Sequence, residues 1–142
     1  MGELKKIIIK GKAYPVKIDL NVLEVIQEEY GSIHEFERDL LGIKFKKDED
    51  GQQIYVEDGE PEIYFTEPSV RAIAMVLPLM INEGLAVEAH RLGKEPEWVE
   101  DSEILTECDI SYEYLSELIH EEYSSCFVTK KNSPGPPGKR NQ

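Results

Sequence analysis

The spacing of apolar residues changes several times along this chain, and each change marks an element. In KKIIIKGKAYPVKID, Ile7 and Ile9 fall on one face of a strand, Gly11 and Lys12 supply a turn, and Tyr14, Val16 and Ile18 share one face of the return strand. Pro15 has no N–H to give to a ladder, so the return strand lies at a sheet edge or presents Pro15 outward. From Asp19 the period lengthens. Val22, Leu23, Val25, Ile26 and Tyr30 fall on one side of a helix, with Glu24, Gln27 and Glu28 opposite. Asp19 or Asn21 can cap its start and Gly31 can end it. A second helix follows at once. Ser32 and Glu35 have capping-box spacing, Ile33, Phe36, Leu40 and Leu41 form its stripe, and Gly42 stops it.

The middle of the chain, IKFKKDEDGQQIYVEDGEPEIYFTEP, reads as short strands and turns. Ile43 and Phe45 alternate with lysines, and two further β-prone runs span Ile54 to Val56 and Ile63 to Phe65. DEDG is not a calcium loop, because Lys46 stands where the EF-hand pattern needs an acid and no bidentate glutamate follows at the right offset. Thr66 or Glu67 then caps a long helix with Pro68 in its first turn. Pro78, inside that helix, removes one backbone hydrogen bond and crowds the Ala74 carbonyl, which predicts a kink or a break. The helix resumes to Gly93. One or two turns follow in KEPEWVEDSEILTECD. Asp109 or Ser111 caps a last helix whose apolar face is Leu115, Leu118, Ile119, Tyr123 and Cys126. The expected fold is α+β: a mainly helical single domain over residues 1–127, with an N-terminal β-hairpin and a short strand-rich insertion. Ile26, Phe36, Ile73, Leu77 and Leu118 are its expected core. Residues 128–142 change composition to a Pro/Gly-rich basic tail without acids, which predicts disorder.

Ala72 to Ile81 is almost unbroken apolar side chain, but this run covers only about half of a membrane core, which needs about 20 residues. No membrane partner is expected. Across all 142 residues there are 29 acidic and 16 basic ones, for a net charge of −13. This balance argues against a nucleic-acid partner, which needs a basic face. It favours solubility and weak self-association, the latter remaining open. Cys108 and Cys126 are too few for a disulfide framework and have no partner at zinc-ligand spacing. The segment MGELKKIIIKG lacks the apolar run of a signal peptide.

No phosphate loop, nucleophile elbow or zinc-protease helix is present in the sequence. His34, His90 and His120 are scattered, and their acidic neighbours are those of any acidic helix. No catalytic, cofactor-binding or metal residues are therefore expected. The nearest thing to a site is apolar, between Ala72 and Leu85. This run reads either as the central core helix or as an adaptable surface, with Met75, Leu79, Met80 and Leu85, that receives helical segments of a partner.

The run IIIKGKAYPVKIDLNVLEVIQEEYGSIHEF resembles the N-terminal signature of tail assembly chaperones from long-tailed phages and prophages of Gram-positive bacteria. That signature is a Gly-Lys hairpin, then Tyr-Pro, an Asp-x-Asn helix start and an acidic helix ending Tyr-Gly-Ser. MVLPLMINEGLAVEA and YEYLSELIHEEYSSCF are similar to the rest of the pattern, so the resemblance covers residues 4 to about 127. The segment DEDGQQIYVEDGEPEIYF departs from the family's shorter connection. The resemblance implies a non-enzymatic protein in the cytoplasm of the bacterial host. It would bind the tape measure protein before the tail tube polymerises, and would be absent from the mature virion. It also implies a longer, frameshifted form that recruits tail tube protein. KKN (Lys130 to Asn132) and PGK (Pro137 to Lys139) can both be encoded by slippery heptamers. The alternatives are an acidic DNA-mimic inhibitor or a phage adaptor protein.

Overall fold

The computed structural model describes residues 2–128. The expected disordered tail and both slippery tripeptides lie outside the described residues, apart from Val128. The elements are β1 (Lys5–Ile9), β2 (Lys12–Val16), α1 (Leu20–Tyr30), α2 (Ile33–Leu41), β3 (Ile43–Phe45), β4 (Ile63–Phe65), α3 (Val70–Leu92), α4 (Asp101–Glu107) and α5 (Tyr112–Ser125). The architecture is mainly helical α+β, with two separate antiparallel pairs, β1–β2 and β3–β4.

The hairpin alternates as its sequence requires. Ile7, Ile9, Tyr14 and Val16 point inward and are buried, and Ile18 just beyond β2 joins them. The turn falls one residue earlier than expected. Ile9 faces Lys12, so Lys10 and Gly11 occupy the two turn positions, with φ of 50° and 77°. A two-residue turn with positive φ at both positions matches the right-handed twist of the flanking strands. Pro15 sits on an edge, as anticipated, but it is buried rather than outward. It packs where β2 meets α3. There Gly84 lacks the Cβ that would overlap the Pro15 carbonyl, and the Lys17 N–H donates to the Met80 carbonyl at 2.9 Å.

α3 is the central element, packing against β2, α1, α2, α4 and α5. It runs without a break through Pro78, which is itself buried. The missing N–H costs one hydrogen bond, and packing on several sides keeps the helix continuous. Its start also differs from expectation. Ser69, not Thr66 or Glu67, is the cap, accepting from the Ala72 N–H at 3.1 Å. Thr66 is still committed to the sheet: its N–H and hydroxyl both donate to the Gly42 carbonyl, at 2.7 and 3.1 Å. The helix can begin only after that ladder closes. Among the described helices, α3 alone has the length and composition of a membrane span. It has 23 residues, and its best 18-residue window has a mean hydropathy of 1.6. The ten-residue apolar run understated it. Here its buried face forms the core.

The other caps follow the sequence. Asp19 Oδ1 accepts from the Asn21 and Val22 N–H groups, and Ser32 and Ser111 each accept from the residue three positions on. On α5, Leu115, Ile119 and Tyr123 are buried, whereas Leu118 is only half-buried. Of the five expected core residues, Leu118 is therefore the exception. The inward line runs at i, i+4, i+8, and Leu118 lies one position off it.

The insertion between β3 and β4 is an arm rather than a set of strands. Ile54 to Val56 makes only an isolated bridge between Tyr55 and Pro61. At the base of the arm three backbone hydrogen bonds close a ring. Lys46 donates to Glu62, Glu62 to Ile54 and Ile54 to Lys46, at 2.9, 2.8 and 3.0 Å. Two small turns fork from this ring. In the first, Asp48 Oδ1 accepts from the N–H groups of Asp50 and Gln52. In the second, Asp58 accepts from Glu60.

Candidate partner-binding surfaces

α3 fixes the depth of each residue expected to bind a partner. Met75, Leu79 and Leu85 are half-buried against the core, each keeping part of its side chain at the surface. Met80 is a correction. It is fully buried at 0% exposure, on the same helix face as Ile73, Val76 and Leu77. A methionine held there cannot meet a partner without unfolding the core.

The uncovered part of α3 continues past Leu85. A surface hollow of about 670 Å³ is lined by Asn21, Glu83, Ala86, Val87, His90 and Arg91. Ala86 and Val87 give it an apolar floor, and the other side chains give it a polar rim. Asn21 Nδ2 donates to Glu83 Oε2 at 2.9 Å, tying the start of α1 to this rim. A hydrogen bond shared with Asp19, and then burial, raise the Glu83 carboxyl above its ordinary range, against the opposing pull of Asn21. One residue before Glu83, Asn82 clamps the connection to α4. Its side chain donates to the Val99 carbonyl at 3.0 Å and accepts from the Val99 N–H at 2.9 Å.

A second apolar surface was not legible beforehand. Ile63, Tyr64 and Phe65, the whole of β4, are exposed at 42%, 45% and 71%. Three consecutive apolar residues on a short strand cannot all face one core, because side chains alternate between faces. That was the available signal. Beside β3–β4 lies a polar hollow of about 300 Å³. There the Arg38 guanidinium stacks 4.9 Å from the Phe45 ring and Arg71 lies 5.7 Å from Tyr30. The Tyr30 hydroxyl donates to Asp39 at 2.9 Å.

Two of the histidines meet one carboxylate. His120 Nε2 and Glu37 Oε2 lie 2.8 Å apart and join α5 to α2, while His34 is 4.0 Å from the same carboxylate. Among the described residues no group of three or more His, Cys, Asp or Glu could hold a metal. Both cysteines are half-buried and free. Cys126 Sγ donates to the Ile18 carbonyl at 3.2 Å, and burial pushes its thiol up. No protein-family model, curated protein or solved structure matches this chain.

Proposed function

We propose that this chain is a non-enzymatic tail assembly chaperone that binds the tape measure protein and keeps it soluble while the tail tube assembles. The resemblance over residues 4 to about 127 motivates the reading. One observation carries it: the half-buried apolar side of α3. Met75, Leu79 and Ala86 share one side of the helix, flanked by Val87 and Glu83, while Leu85 lies round the other flank. A strip of this kind receives an amphipathic helix by apolar contact, and the acid beside it keeps the complex hydrated. In this reading the protein works in the cytoplasm of the bacterial host and leaves before the virion matures. A longer frameshifted form would bring in tail tube protein.

Co-expression with a tape measure protein is the test. The tape measure protein should move from the soluble to the insoluble fraction when this chain is omitted. Polar substitution at Leu79 and Val87 together should have the same effect while the variant itself stays folded. Equal solubility with and without the chain would refute the chaperone reading. Tolerance of the paired substitution would refute only the location on α3.

A further inference from the structure

The ladder between β3 and β4 uses only the even-numbered residues of the second strand. Tyr64 stands opposite Lys44, the Thr66 N–H donates to Gly42, and the Lys46 N–H donates to Glu62. The forked arm keeps the same parity, with Val56 donating to Glu60. Alternate residues of an antiparallel strand turn their backbone groups to opposite edges. Ile63 and Phe65 therefore turn theirs to the far edge of β4, and β3–β4 is a two-stranded sheet with nothing paired there among the described residues. The side chains follow the same logic. Ile63 lies across from Phe45 and Phe65 across from Ile43, which puts all four on one face. An open strand edge with exposed apolar side chains is a template for another strand.

The edge is self-complementary in one register. If a second copy pairs antiparallel and bonds these outward groups, odd residues must oppose odd residues, which leaves three registers. Centring on Ile63 sets Phe65 against Pro61, which has no N–H to give. Centring on Phe65 sets Ile63 against Glu67, an apolar side chain against an acid. Centring on Tyr64 sets Ile63 against Phe65 twice, Tyr64 against itself and Glu62 against Thr66. That register satisfies the outward N–H and C=O groups of Ile63 and Phe65 in both copies. It opposes no like charges, and Glu62 already holds Lys46 Nζ at 3.0 Å within its own copy. The twofold axis stands perpendicular to the sheet, so the apolar faces of the two copies merge. We infer that two copies of this chain join through β4, antiparallel about Tyr64, into one four-stranded sheet. This inference does not rest on the chaperone reading.

Sedimentation velocity of the full chain over a range of concentrations tests it. A monomer–dimer equilibrium is expected, and it should tighten from about 0.05 to about 0.5 M salt as repulsion between two acidic bodies is screened. Ile63→Pro removes an outward N–H and no bond to β3. It should weaken the dimer about tenfold or more, since two symmetry-equivalent hydrogen bonds are lost, with an unchanged helical circular dichroism spectrum. Facing residues at a non-hydrogen-bonded antiparallel position have Cα atoms about 4.5 Å apart. This is within disulfide reach. Tyr64→Cys should therefore crosslink to a covalent dimer under mild oxidation, above the background of the wild-type cysteines. Phe65→Cys, which faces Ile63, should not. A chain that stays monomeric at every concentration, including one that pairs only with a different protein, overturns the inference. So does a dimer indifferent to Ile63→Pro, or equal crosslinking at positions 64 and 65.

Discussion

At the scale of single residues, the sharpest constraint is the absence of one carbon. A Cβ on Gly84 would overlap backbone atoms of Pro15 and Val16, which cannot move aside as a flexible side chain could. Gly84→Ala should therefore cost about 1–3 kcal/mol through overpacking, despite the better helix propensity of alanine, and urea unfolding would measure it. Tyr123 poses the opposite problem. Its ring packs between Phe36 and Phe127, yet its hydroxyl is buried and has no hydrogen-bond partner among the described residues. Tyr123→Phe should raise stability at neutral pH by about 1 kcal/mol, read from the same unfolding curves. The phenol also carries a pH signature. Burial, then the nearby Glu37 and Cys126, push it up to about 12. Burial and the hydrogen bond to Asp39 push Tyr30 up to about 12 as well. The folded state thus holds these protons more tightly than the unfolded chain, whose tyrosines titrate near about 10. The stability that they contribute is complete below about pH 10 and is lost as pH rises through about 12. Unfolding midpoints should fall across that window, and less steeply in Tyr123→Phe.

Elements were more legible than their faces. Period-2 spacing located β1 and β2, and the inward residues Ile7, Ile9, Tyr14, Val16 and Ile18 followed from alternation alone. The caps at Asp19, Ser32 and Ser111 could be read because each is a local hydrogen bond between near neighbours. α3 resisted for the converse reason. It is apolar nearly all round, so nothing in its own sequence separates buried Met80 from half-buried Met75. Its start at Ser69 depends on Gly42, far back in the chain, whose carbonyl holds Thr66 in the sheet. The candidate strip was legible only as a region, and the β4 edge only as three consecutive apolar residues, because both depend on which neighbours come to cover them. Between elements, Asn82 has a long reach, since it bonds both backbone polar groups of Val99 ahead of α4. Asn82→Ala should cost about 1–3 kcal/mol by leaving Val99 polar groups unpaired in a half-buried place. Hydrogen exchange should show faster exchange at Val99 and through α4, with β1–β2 unchanged.

Across the whole molecule, residues 1–128 hold 29 acidic and 12 basic side chains, a net charge of −17 on the folded body. The ion pairs are few and peripheral, such as Lys5 with Glu121 and Lys44 with Asp39. Repulsion among the remaining acids opposes compaction, so the melting temperature should climb as salt rises from about 0.01 to about 0.15 M and the Debye length shrinks. A flat or falling trend would show that local pairs outweigh the field. The bond from Lys17 to the Met80 carbonyl also sets a timetable. The hairpin leaves the ribosome 63 residues ahead of the helix turn that must receive it. At about 5–20 residues per second, Ile7, Ile9 and Val16 stand in water for several seconds before α3 exists to cover them. The hairpin is thus made well before it is sheltered, and in that interval its apolar side chains stand open to any holdase present.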